Sequence, residues 1–85
     1  MRLPIIKHVL GFIEENDEDW VHETIELLES MSDIASLKDS ELEVMGELLS
    51  NLYGTLEVHK MVKEGMDKKE AMNAFMKRVV GSIDK

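Results

Sequence analysis

An all-α fold, a compact bundle of four helices, is predicted by two features of this chain. Apolar residues recur at three- and four-residue spacing, and turn signals divide that pattern into four stretches. Strand-like alternation is nowhere sustained, and no low-complexity segment or internal repeat appears. The helices are expected at about residues 4–15, 17–32, 39–64 and 68–80, in one domain spanning 1–85.

The first helix opens at Pro4, where a missing amide donor costs nothing, and carries a broad apolar face of Ile5, Ile6, Val9, Leu10, Phe12 and Ile13. Asn16 or Asp17 can cap the second, whose first turn holds Glu18 and Asp19 at the positive end of the helix dipole. Trp20, Val21, Thr24, Ile25, Leu27, Leu28 and Met31 follow at helical spacing, with Glu23, Glu26 and Glu29 on the other side. Residues 32–41, SDIASLKDSE, read as the longest connection, from which Ser36, Asp39 or Ser40 can cap the third helix. Lys60 and Lys63 suit the negative end of that helix, and Gly65 lies just beyond it. Asp67 and Glu70 have the spacing of a capping box and start the fourth helix. Its stripe is Ala71, Met72, Phe75, Met76, Val79 and Val80, with Lys77 and Arg78 in its last turn and Gly81 to close it.

The third helix is the longest. Leu42, Met45, Leu49, Leu52, Leu56 and His59 stand three or four apart, the seam spacing of packed helices, and a seam that runs on across Gly54 favours one unbroken helix over a turn there. Two internal glycines cost about 1 kcal/mol each relative to alanine, so something must compensate. Gly46, Ser50 and Gly54 form a stripe with almost no side-chain bulk, into which a neighbouring helix of the domain, or failing that a second copy, can settle. Tyr53 and Trp20 are candidate interface anchors. His59 is expected to be a core or interface residue hydrogen-bonded to a neighbour. Met61, Met66, Met72 and Met76, with Phe75, are expected to fill the core, the competing reading being a groove for another helix.

Chemistry-bearing patterns are incomplete. The chain has no cysteine, which excludes disulfides, thiolate nucleophiles and the usual structural zinc sites. Asp19 and His22 share a helical face, but the further Glu-x-x-His unit and glutamates of a di-iron bundle are missing. Glu26 stands where a zinc HExxH motif needs its second histidine. The acidic run EENDED, residues 14–19, has alternating oxygen donors without the glycine that a calcium loop requires. No metal, cofactor or catalytic constellation is therefore expected. The enzyme alternative would use His8, His22 or His59 as a base near Glu57 or another carboxylate in a cavity.

Charge bounds the partners. The net charge is −8, unevenly placed: residues 1–59 carry three bases against fourteen acids, and residues 60–85 carry seven against four. Such a balance opposes binding to nucleic-acid backbones. No run of about 18 apolar residues is present, so no membrane span is expected. Lys7 and His8 interrupt the first apolar stretch and no small-residue cleavage site follows, which argues against a signal peptide and for a cytoplasmic chain. So small a domain is marginal alone. A homodimer is expected, with the basic fourth helix of one copy near the acidic second or third of the other, or else a heterologous protein partner.

Two stretches, LPIIKHVLGFIEEN at the start and GTLEVHKMVKEGMDKKEAMNAFMKRVVGSID at the end, resemble a small family of bacterial all-helical proteins classed as a domain of unknown function. The resemblance extends over nearly the whole chain and supplies no catalytic motif. It implies an accessory role beside thiol redox proteins, which the absence of cysteine confines to indirect chemistry. The expected function is thus a non-enzymatic helical interaction or accessory module that self-associates.

Overall fold

The computed structural model describes residues 2–83 and, within them, side chains as far as Val79. It is an all-α fold of four helices: α1 (Leu3–Glu15), α2 (Asp19–Met31), α3 (Asp39–Lys63) and α4 (Lys68–Ile83). No strand occurs among the described residues.

Helix ends follow local hydrogen bonding, in places differently from the expectation. α1 begins one residue before Pro4, with Arg2 at its N-cap. α2 begins at Asp19, two residues later than predicted; in the turn before it the Asp17 carboxylate accepts the Asp19 amide at 3.1 Å. Lys38, and none of Ser36, Asp39 or Ser40, occupies the α3 N-cap; Glu41 reaches back to accept its amide at 2.9 Å. α3 then runs unbroken through Gly54. Its end is a Schellman turn: Met66 N–H donates to Met61 O, Gly65 N–H to Val62 O, and Gly65 has φ 110°, a left-handed conformation that strains any other residue. The Asp67 carboxylate accepts the Lys69 amide and caps α4 as expected. α4 continues through Gly81, which therefore does not close it, and Lys77 and Arg78 fall short of its last turn.

α3 is the spine on which α1, α2 and α4 are each mainly packed. Two apolar clusters result. Ile13, Val21 and Ile25 pack against Leu49, Leu52 and Leu56, the seam read from the sequence. Ile6, Leu10, Val58, Ala71 and Phe75 form the other, with Met61, Met72 and Met76 around them. Met61, Met72 and Met76 thus pack half-buried against the core, whereas Met66, expected there too, is exposed.

The second cluster uses a different stripe of α3, at positions 51, 55, 58 and 62, in which two places are polar. Asn51 is 1% exposed and Thr55 wholly buried. Both are satisfied: Asn51 Oδ1 accepts the Arg2 amide at 2.8 Å, Asn51 Nδ2 donates to Glu47 O, and Thr55 Oγ1 donates to Asn51 O. Asn51 thereby anchors the start of α1 to the middle of α3.

Lengths explain what stays uncovered. The 25 residues of α3 extend about 37 Å, against about 20 Å for the 13 of α1 and about 24 Å for the 16 of α4. The stripe 51–55–58–62 continues toward the N-terminus as Val44 and Leu48, where no helix lies over it, and these two are 59% and 43% exposed. Among the described residues no helix is long and apolar enough to cross a membrane.

Candidate functional site

The densest cluster of chemistry-bearing side chains joins the start of α2 to the end of α3. Glu18, in the turn before α2, is its centre. His22, one turn on, places Nε2 3.1 Å from Glu18 Oε2. From α3, Lys63 Nζ lies 2.9 Å and His59 Nε2 3.5 Å from Glu18 Oε1. His59 and Lys63 reach the same carboxylate because four residues along a helix return to one face. Tyr53, Leu56, Glu57 and Lys60 complete the lining of an open concavity of about 390 Å³.

Electrostatics fix the state of this clasp. Hydrogen bonding from Lys63, and then from His22, holds the Glu18 carboxyl at about 2, well below the usual carboxylate range, against a smaller opposing effect of burial. Glu18 in turn pushes the Lys63 ammonium upward. Alongside, the Tyr53 hydroxyl donates to Glu29 Oε2, which raises the phenol, and Arg78 bonds Glu57 at 3.0 Å. Lys68 binds Glu14, tying α4 to α1.

Glu18 is thereby held ionised and ties the start of α2 to the end of α3. Because the folded-state value lies below the unfolded one, the contribution of Glu18 is present above about pH 5 and fades as pH falls toward about 2. Thermal melts across that range test this. Glu18→Gln is expected to melt lower than the parent at neutral pH and to lose less on acidification; parallel pH profiles would show that Glu18 is not the coupled group.

The predicted site residues do not gather in one place. His59, 18% exposed at its side chain, joins the clasp at ion-pair distance from Glu18, 3.5 Å, rather than through the hydrogen bond expected of it. Tyr53 spans α2 and α3 through Glu29. Trp20 lies on the outer side of α2, edge-on to Phe12 with ring centroids 6.2 Å apart. The small-residue stripe is split: Gly54 is buried and Ser50 half-buried, but Gly46 is exposed, with nothing within 4 Å of where a Cβ would stand. No neighbouring helix settles over Gly46, which with Ser50, Glu43, Val44 and Glu47 lines a shallow open concavity of about 510 Å³.

The sequence set His22 beside Asp19 and offered His8, His22 or His59 a partner in Glu57 or another carboxylate, and gave Glu18 only a place at the helix dipole. The i, i+4 spacing of Glu18 and His22 was the available signal; the reach of His59 and Lys63 across helices was not legible. His8 stands apart on α1. Among the described residues no group of three or more His, Asp or Glu side chains is arranged to hold a metal ion, and at Glu18 a cation's place is taken by Lys63.

Fold and clasp define a small all-α protein in which three helices are laid on one long helix and tied near its C-terminal end by ion pairs. The chain belongs to the family of unknown function DUF6952, whose model matches residues 1–84. Comparison with curated proteins and with solved structures finds no match.

Proposed function

We propose that this protein is a non-enzymatic, cytoplasmic interaction module that associates with a second copy of itself about a two-fold axis. The observation that carries the reading is the uncovered start of α3. Val44 and Leu48 prolong a core stripe into solvent, and Val44 also borders an open, largely apolar concavity of about 410 Å³ with Met31, Leu37 and Met45. Apolar surface of this kind, contiguous with a core and rimmed by charge, is what association covers.

Charge sets the orientation. Glu41, Glu43 and Glu47 flank Val44 and Leu48, so two such patches set directly together would bring six carboxylates near one another. Lys69 and Lys77, on the exposed side of α4, are the complement. A two-fold arrangement that sets the two Val44–Leu48 patches against each other with an offset along α3, and Lys69 and Lys77 of each α4 near the other copy's glutamates, relieves this repulsion. Exposed ion pairs contribute about 0–1 kcal/mol each, so they orient the pair while apolar contact holds it. Without cysteine, any part in thiol redox metabolism is that of a docking partner.

A small enzyme or ligand-binding bundle is the second reading, favoured by the convergence of His22 and His59 on Glu18 in an open concavity. The ion pair that Lys63 makes with Glu18 counts against it, since it leaves that carboxylate a poor base.

The test is a double substitution, Val44→Glu with Leu48→Glu. Both positions are exposed, so the variant should keep its helicity while its melting temperature, unlike the parent's, stops rising with protein concentration. A parent whose melting temperature is itself independent of concentration removes the proposal.

A further inference from the structure

A second uncovered face shares no residue with the start of α3. Its main feature is a pocket of about 220 Å³ between α1 and α2, lined almost wholly by apolar atoms. Val9, Val21 and Leu52 make the floor, and Phe12, Trp20 and His8 the walls. The Thr24 hydroxyl, which also lines it, donates to Trp20 O at 2.6 Å, so its proton is already engaged. Space of this size, closed on one side by an exposed indole set against a phenyl ring, accepts one large apolar side chain from a partner.

The surface continues along α2. Trp20, Thr24 and Leu27 succeed one another on one side of the helix, and Trp20 and Leu27 are 58% and 61% exposed. Asp19, Glu23 and Glu26 border that stripe on its outer edge. All three are exposed, and among the described residues none is in an ion pair. On the α1 edge Lys7 and Glu15 offset each other. The face is therefore an apolar track one to two turns long, with an anchor pocket at one end and three uncompensated negative charges along one side.

We infer that this face receives an amphipathic, basic helix of another protein, with a large apolar side chain in the Phe12–Trp20 pocket and lysine or arginine opposite Asp19, Glu23 and Glu26. A second copy does not offer such a helix. The net-basic helix of this chain is α4, and its apolar side is already packed in the core through Ala71 and Phe75. An anionic bilayer is repelled by the same three carboxylates. This inference rests on the reading of the protein as an interaction module but not on its dimerisation, which is measured separately.

Trp20 is the sole tryptophan, so its fluorescence reports on the pocket directly. The probe is an acetylated, amidated peptide of about 14 residues of leucine and lysine, with leucines at helical spacing. Two controls have the same residues scrambled, or glutamate in place of lysine. Saturable binding at one peptide per chain with a blue shift of Trp20 is expected for the first peptide only. Asp19→Lys with Glu23→Lys should weaken binding about tenfold, whereas Asp33→Lys with Glu64→Lys, an equal change of net charge elsewhere, should alter it less than about twofold. Trp20→Ala, read by the anisotropy of labelled peptide, should weaken it at least about tenfold with helicity intact. Equal binding of any control peptide, equal effects of the two charge reversals, or no loss in Trp20→Ala overturns the inference.

Discussion

Replacing Asn51 by alanine is expected to lower the melting temperature by about 4–24 °C. The side chain is 1% exposed and bonded at both ends, to the Arg2 amide and to Glu47 O. Removing it leaves the Arg2 amide without its acceptor at the point where α1 joins α3, and opens a void between them. Loss of a partner for a part-buried donor costs about 1–3 kcal/mol. For a domain this small each kcal/mol corresponds to about 4–8 °C. Asn51→Leu, which refills the volume without the bonds, should fall between the two proteins. Calorimetry of the three decides it. A change of less than about 2 °C in Asn51→Ala would mean that the Arg2 bond is not formed in solution.

Gly54→Leu should destabilise the fold by about 1–3 kcal/mol through overpacking, only partly offset by the better helix propensity of leucine, which is worth up to about 1 kcal/mol. Gly54 is buried at the middle of α3, whereas Gly11 and Gly46 have open space where a Cβ would stand. Gly11→Leu should therefore harm the protein far less than Gly54→Leu, and Gly46→Ala should stabilise it by up to about 1 kcal/mol. Denaturant titration of the three variants measures the contrast. A Gly54→Leu variant as stable as the parent would show that α3 is not closely packed there.

These two residues also mark where the sequence was legible and where it was not. The seam from Leu42 to His59 could be read because every member before His59 is apolar, and the structure packs Leu49, Leu52 and Leu56 on Val21 and Ile25 as the spacing requires, while Leu42 at its start is exposed. The stripe through Asn51, Thr55, Val58 and Val62 has the same spacing, but two polar members hide it from any search for apolar periodicity. Only the main chain of α1, brought near by folding, makes Asn51 a core residue. Gly46 and Gly54 look equivalent in the sequence. They differ because α1 and α4 are shorter than α3, so that one glycine is buried and the other lies in the overhang. The clasp at Glu18 was half legible, through His22 on the same helical face. Its contacts with His59 and Lys63 depend on how α2 lies across α3, which no local pattern encodes.

The uncovered start of α3 is where fold and proposed function meet: a spine longer than the helices laid on it leaves part of its own core stripe in water. Sedimentation equilibrium at micromolar concentration tests that connection most directly. The account predicts a mass of twice the 9.7 kDa monomer in both low and moderate salt, reduced to the monomer by Val44→Glu with Leu48→Glu. A single species of 9.7 kDa for the parent in both salts would contradict it.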